Sequence, residues 1–167
     1  MMNIADLKKK LGLEGAKEKS RKEKCEEVKR IVDYLKEHTI EPMWEMSTNY
    51  MQASPWKKLS LLNADVKTLV SESNIDTRKV VRDKYLLTPR HIRILKKWID
   101  KELIDPPLCN YENRICILEG NHRIALCKFL EVAQIPILVP KENADILITR
   151  YGFSLIQEIV LKNTSNI

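Results

Sequence analysis

Between Ile117 and Val139 the chain reads ILEGNHRIALCKFLEVAQIPILV, and no other stretch constrains the fold as tightly. An apolar strand ends at Glu119-Gly120, a helix follows over Asn121 to Leu130, and a second strand runs from Ile135 to Val139. A glycine at such a turn has no Cβ and takes φ > 0 easily, so the backbone is expected to come close to a ligand there. The helix that opens next offers unpaired N–H groups and a positive dipole end, which favour an anion. His122 and Arg123 add a polar tip and a permanent cation. Gly120, Asn121, His122 and Arg123 are therefore read as a phosphate cradle. Apolar residues wrap most of the helix behind it (Ile124, Ala125, Leu126, Cys127, Phe129 and Leu130), so that helix is expected to be enclosed by its own domain.

Upstream, Ile104-Asp105-Pro106-Pro107-Leu108-Cys109 enters another strand, and Asn110-Tyr111-Glu112-Asn113 makes a turn. With the Gly120-Asn121-His122-Arg123 turn, this arrangement resembles the ParB/sulfiredoxin superfamily. The resemblance covers about 35 residues, and about 80 if the helix from Pro89 to Leu103 is counted, and its motif is short. It implies an α+β fold, a small mixed sheet with packed helices, and a phosphate or nucleotide at the turn. The alternative is an ordinary strand–turn–helix with Arg123 on the surface.

Departures from the family narrow what the resemblance implies. Sulfiredoxins carry a catalytic cysteine where this chain has Asn121, and an amide cannot form a thiosulfinate, so reductase chemistry is not expected. ParB partition proteins have an arginine-rich version of the motif and a following helix-turn-helix. Here 28 residues follow Val139, and Glu142-Asn143 matches a second phosphate motif only faintly. The expectation is a stand-alone ParB-like domain of the nuclease type found in phages, plasmids and other mobile elements.

The net charge of +6 is unevenly spread: residues 106–167 hold six Lys/Arg and six Asp/Glu, so the whole excess lies before them. That distribution suits an acidic partner such as DNA, or serves solubility alone. In the helix begun by the cap Thr88 and by Pro89, the stripe Ile92, Leu95, Ile99 and Leu103 is expected to be buried. Arg90, Arg93, Lys97 and Lys101 fall on the opposite face, within about a quarter of the helical wheel. Such a line can follow a phosphate backbone, or it is a solvated face. Which it is turns on whether these side chains share a surface with Arg123.

At 167 residues the chain suits one domain with an appendage: a basic helical extension over 1–40 and the ParB/sulfiredoxin-like domain over 41–167. Helices are expected over Ile4–Leu11, Ala16–His38, Asp65–Ser73 and Asp76–Tyr85, and a first strand over Lys57–Leu62. In the Ala16–His38 helix, Cys25, Val28, Val32 and Leu35 form the docking stripe. The Met- and aromatic-rich segment 41–56 (Met43, Trp44, Met46, Tyr50, Met51, Trp56) is a packing segment or a ligand wall. Ile146–Ile148 suggest a strand or helical turn, and Phe153 to Val160 a terminal helix that closes the core.

No apolar run reaches the ~18–20 residues of a membrane span, and MMNIADLKKKLGL has no signal-peptide core. A cytoplasmic protein without membrane contact is expected. Cys109, Cys116 and Cys127 with His122 match no common zinc spacing, and reduced packing cysteines, Cys25 included, are expected instead.

Three functional classes remain. One is a DNA-binding, nucleotide-binding protein, with nuclease activity as an option. Another is a phosphotransferase acting on a small molecule such as free serine, using a nucleoside triphosphate or diphosphate (ATP or ADP) with Mg²⁺. A third is a non-catalytic, nucleotide-gated interaction module. In the catalytic classes Glu119 and His122 are the groups able to orient or deprotonate a nucleophile, whereas a carboxylate at a strand end also serves a helix N-terminus. Catalysis, metal and oligomeric state stay open.

Overall fold

The computed structural model describes residues 21–46, 56–75 and 87–161. The helices expected over Ile4–Leu11 and Asp76–Tyr85, and residues Tyr50 and Met51, lie outside the described residues. The architecture is α+β, with a five-stranded mixed sheet in the order β3-β2-β4-β1-β5 and helices packed around it.

The first described element, α1 (Arg21–Glu37), turns the stripe read from its sequence toward the core. Ile31 and Val32 are buried there, and Val28 and Leu35 pack against the same cluster. Glu27 pairs with Lys96 on the neighbouring α3 (Pro89–Ile99). Farther on, Trp44 meets Trp98 of α3 edge to face at 5.4 Å, and the Trp98 indole N–H donates to the Met43 carbonyl. The aromatic segment is thus a packing segment at this end.

Strand β1 (Lys58–Asp65) sits inside the sheet, antiparallel to β4 (Gln134–Pro140) on one side and to β5 (Ser154–Val160) on the other. It runs three residues beyond the expected Leu62, because pairing with β4 continues through Ala64 opposite Ile135 and Asp65 opposite Gln134. Asp65 then caps α2 (Val66–Ser71), its carboxylate accepting from the Thr68 N–H and hydroxyl at 2.8 Å each. Those two bonds to the charged form hold the Asp65 pKa below its ordinary value.

The chain turns from β2 (Leu108–Tyr111) to β3 (Ile115–Glu119) as a hairpin, and β2 lies parallel to β4. The segment Ser73–Asn74 covers the outer edge of β3: Asn74 N–H donates to the Ile115 carbonyl, and the Ile117 N–H donates to Asn74 Oδ1 at 2.7 Å. Side chains alternate across the sheet as a pleat requires. Leu62, Ala64, Cys109, Ile137 and Val139 join the large helix-covered core, whereas Leu59, Leu108 and Leu138 form a smaller cluster with Met46 and Trp56.

Two expectations fail here for clear reasons. The helix from Pro89 ends at Ile99 rather than Leu103. Lys101 takes a left-handed conformation (φ 62°), and the Lys101 and Glu102 N–H groups close back onto the Trp98 and Lys97 carbonyls. This is a helix-terminating pair of bonds that glycine usually supports. Leu103 is consequently exposed, and Trp98 is fully buried among the stripe residues in its stead.

The C-terminal expectation reverses its order. Residues Lys141–Tyr151 form the helix α5, and Gly152 (φ 71°) stops it. Ser154–Val160 then pair with β1 as an edge strand rather than closing the core as a helix. Phe153 is buried, but Leu155, Ile156 and Val160 are exposed.

Candidate functional site

Gly120 ends β3 and begins α4 (Asn121–Phe129), the helix expected from the sequence. Its φ of 102° lies where L side chains rarely go, and it provides no side-chain cap. A Cβ built there would meet Pro107 Cβ at 2.8 Å and Pro107 Cα at 2.9 Å. The close approach that this glycine permits is made to Pro107.

A cavity of about 720 Å³ opens beside this turn. Glu119, Gly120, Asn121, His122 and Arg123 line it, together with Arg90, Arg93 and Lys97 of α3. The cations of α3 and the cradle thus share one surface, which periodicity alone could not decide. Lys101 is left out: it stands past the end of α3 and does not line the cavity. Glu45 and Asp105 also line it, with Leu103 and Leu118 as apolar, exposed lips.

Arg123 is held by the protein itself. Its guanidinium donates to the Asp105 carbonyl, to the Pro106 carbonyl at 3.3 Å, and to Glu119 Oε1 at 2.9 Å. The side chain is 14% exposed, against 55% for its Glu119 partner. Two of the three guanidinium nitrogens are thereby engaged, one of them with both carbonyls. Arg123 fastens the Asp105-Pro106 entry of β2 to the start of α4, a structural duty that the reading as a phosphate ligand did not include. Asn121 Oδ1, one residue into α4, is a buried oxygen with no partner among the described residues.

The residue that sequence reasoning missed is His91. It is 1% exposed, at the third position of α3. Its Nδ1 accepts the Thr88 backbone N–H at 3.1 Å and lies 3.0 Å from the Thr88 hydroxyl. Its Nε2 lies 3.2 Å from His122 Nδ1, with the rings edge to face at 4.9 Å. Burial, and then the neighbouring His122, push the His91 pKa down to about 4, so the ring is neutral at pH 7. The signal was present in Thr88-Pro89-Arg90-His91: a capped helix start usually carries Glu or Gln where His91 stands.

Among the described residues, Cys109, Cys116 and Cys127 form no metal-holding group with His122. Cys109 and Cys127 are buried and free, and burial pushes each thiol up to about 12. Cys116 is only half-buried and makes a weak contact to the Arg114 carbonyl at 3.7 Å, so the expectation of buried packing fails for it. The Cys25 side chain lies outside the described residues. Among the described residues no three His, Cys, Asp or Glu side chains gather as a metal-holding group, and no helix is long and apolar enough to cross a membrane.

Chemically, the cavity combines four cations, of which Arg123 is paired with Glu119, with the amino end of α4 and a histidine dyad. Comparison of this chain with models of protein families, with curated proteins and with solved structures finds no match in any of the three.

Proposed function

We propose that this protein binds a phosphate group in the cavity between α3 and α4, and that it does so in DNA-related work as a ParB-like module. The observation that carries this reading is the shared cavity: Arg90, Arg93 and Lys97 line the same space as Gly120 and Asn121, at the amino end of α4. Cations beside the amino end of a helix are what a phosphate oxygen binds best. Three cations along one helix face also suit successive phosphates of a duplex.

The test is a binding screen of the purified protein with short duplex DNA and with ATP, ADP, CTP and GTP. Saturable binding that Arg93→Gln with Lys97→Gln weakens supports the reading. Wild-type protein that binds none of these at low salt overturns it.

A catalytic version, nuclease or phosphotransferase, is the second reading. The observation behind it is that Glu119 lines the same cavity and is exposed, beside Arg123. Glu119→Gln then abolishes turnover of DNA or nucleoside triphosphate with Mg²⁺ while leaving binding largely intact. A wild type without turnover leaves the binding module or the nucleotide-gated interaction module.

A further inference from the structure

Two leucines line the cavity because the backbone departs from regularity at each of them. After α3 stops at Ile99, the left-handed Lys101 (φ 62°) turns the chain, and Leu103 leaves the buried stripe to line the cavity, 47% exposed. In the β2–β3 hairpin Leu108 pairs with Glu119 and Cys109 with Ile117, so Leu118 is the extra residue of a bulge. Bulges re-aim side chains beside functional sites. Ile117 enters the core, whereas Leu118 lines the cavity and is also 47% exposed. Ile94 of α3 is a third apolar residue in the lining. The cavity is thus cationic along Arg90, Arg93 and Lys97 and apolar at its leucines. A phosphate group alone uses only the cations.

We propose that the cavity receives one unpaired nucleotide of a bound DNA, with backbone phosphates on the cations of α3 and the base against Leu103 and Leu118. This rests on the DNA-related, phosphate-binding reading above and names the form of DNA: a duplex that carries an overhang or other unpaired nucleotide. Paired bases are stacked, and their faces are closed to side chains. An unpaired base opens its faces and costs least to unstack. Leucine and isoleucine are among the apolar side chains that proteins press against unstacked bases. The volume of about 720 Å³ falls in the range of roughly 300–1,000 Å³ that encloses a small-molecule-sized group, whereas an intact double helix cannot enter such a concavity. Glu45, exposed and also in the lining, repels a further phosphate but accepts a hydrogen bond from the amino edge of a base. The paired part of the DNA stays outside, its phosphates within reach of the exposed cations.

The experiment measures binding of the full chain to three DNAs: a blunt duplex, the same duplex with a short overhang, and that overhang built from abasic sites. The last two carry equal numbers of phosphates, so their difference reports the base alone. Wild-type protein should prefer the base-bearing overhang to the abasic one roughly 10-fold, the effect of covering two half-exposed leucines. Leu103→Ser with Leu118→Thr should bring that ratio close to one while leaving blunt-duplex binding within about 2-fold, since the cations are untouched. Equal wild-type affinity for the two overhangs overturns the proposal, whether or not the leucine variant folds. A ratio that survives in the variant places the base elsewhere and also overturns it. A deoxynucleoside monophosphate that competes as strongly as the overhang DNA would make this a site for free nucleotides, again against the proposal. Binding of blunt duplex with no response to the base sinks this inference alone. Wild-type protein that binds none of the DNAs at low salt removes the underlying DNA reading with it.

Discussion

Gly120 and Pro107 lie against one another so closely that a Cβ on the glycine would come within 2.8 Å of the proline Cβ. The contact joins the strand entry of β2 to the first residue before α4, and Arg123 reinforces it by donating to the carbonyls of Asp105 and Pro106. The turn is thus rigid because of what packs behind it, and rigidity is what a small anion site requires.

Gly120→Ala should cost roughly 2–4 kcal/mol, combining a left-handed penalty of about 1–2 with overpacking against backbone. Gly152→Ala is the control. It shares a positive φ (71°) but has nothing within 4 Å of the added Cβ, so about 1–2 kcal/mol is expected. Urea unfolding of both variants checks the ranking. Equal losses would mean that Pro107 moves aside without penalty.

Arg123→Ala should lower stability by about 2–4 kcal/mol, since hydrogen bonds from a charged group contribute ~1.5–3 each and two carbonyls lose their donor. Arg123→Lys should recover less than half of that, because one ammonium cannot reproduce the planar fork. An Ala variant of wild-type stability with weakened phosphate binding would return Arg123 to the role of ligand that the sequence suggested.

What was legible in the sequence was local. Thr88-Pro89 marked the start of α3, Glu119-Gly120 marked the strand-to-helix turn, and apolar residues around α4 announced its burial, all through chemistry within a few residues. What was not legible depended on partners far along the chain. Ser154–Val160 is a strand because β1 offers an open side, and its apolar residues carry no helical or alternating burial to announce it. Glu131, like Lys101, adopts the left-handed conformation at a helix end without being glycine, so the usual stop signal was missing. The engagement of Arg123 was hidden too, since its acceptors at Asp105 and Pro106 are backbone atoms brought near by folding.

His91 gives the protein a pH dependence of known sign. Above about pH 6.5 its ring is neutral in both folded and unfolded chains and contributes no slope. Below that the unfolded chain takes a proton that the folded one refuses until about pH 4. Stability should therefore fall through that window, by about 3 kcal/mol in all from this group. His91→Gln has no proton to gain, so the difference in unfolding free energy between wild type and variant should narrow as pH drops from 7 to 4. A difference that stays constant across the window would show that His91 is not held neutral.

The charge on α3 makes the DNA reading quantitative. Arg90, Arg93 and Lys97 are exposed on the cavity wall, and Lys101 is not part of it. If each of the three neutralises one duplex phosphate, log K should fall against log salt with a slope near −2.7, at about −0.9 per contact. Raising salt from ~50 to ~200 mM then weakens binding roughly 40-fold on the same rule. Arg93→Gln with Lys97→Gln should flatten the slope to about −0.9, whereas Lys101→Gln should leave it unchanged. None of these changes touches Ile92, Leu95 or Trp98, which are buried on the other side of the helix, so the fold should persist. A slope near −3.6 that Lys101→Gln reduces would place Lys101 on the DNA after all, and a full slope in the double variant would move the contact surface away from α3.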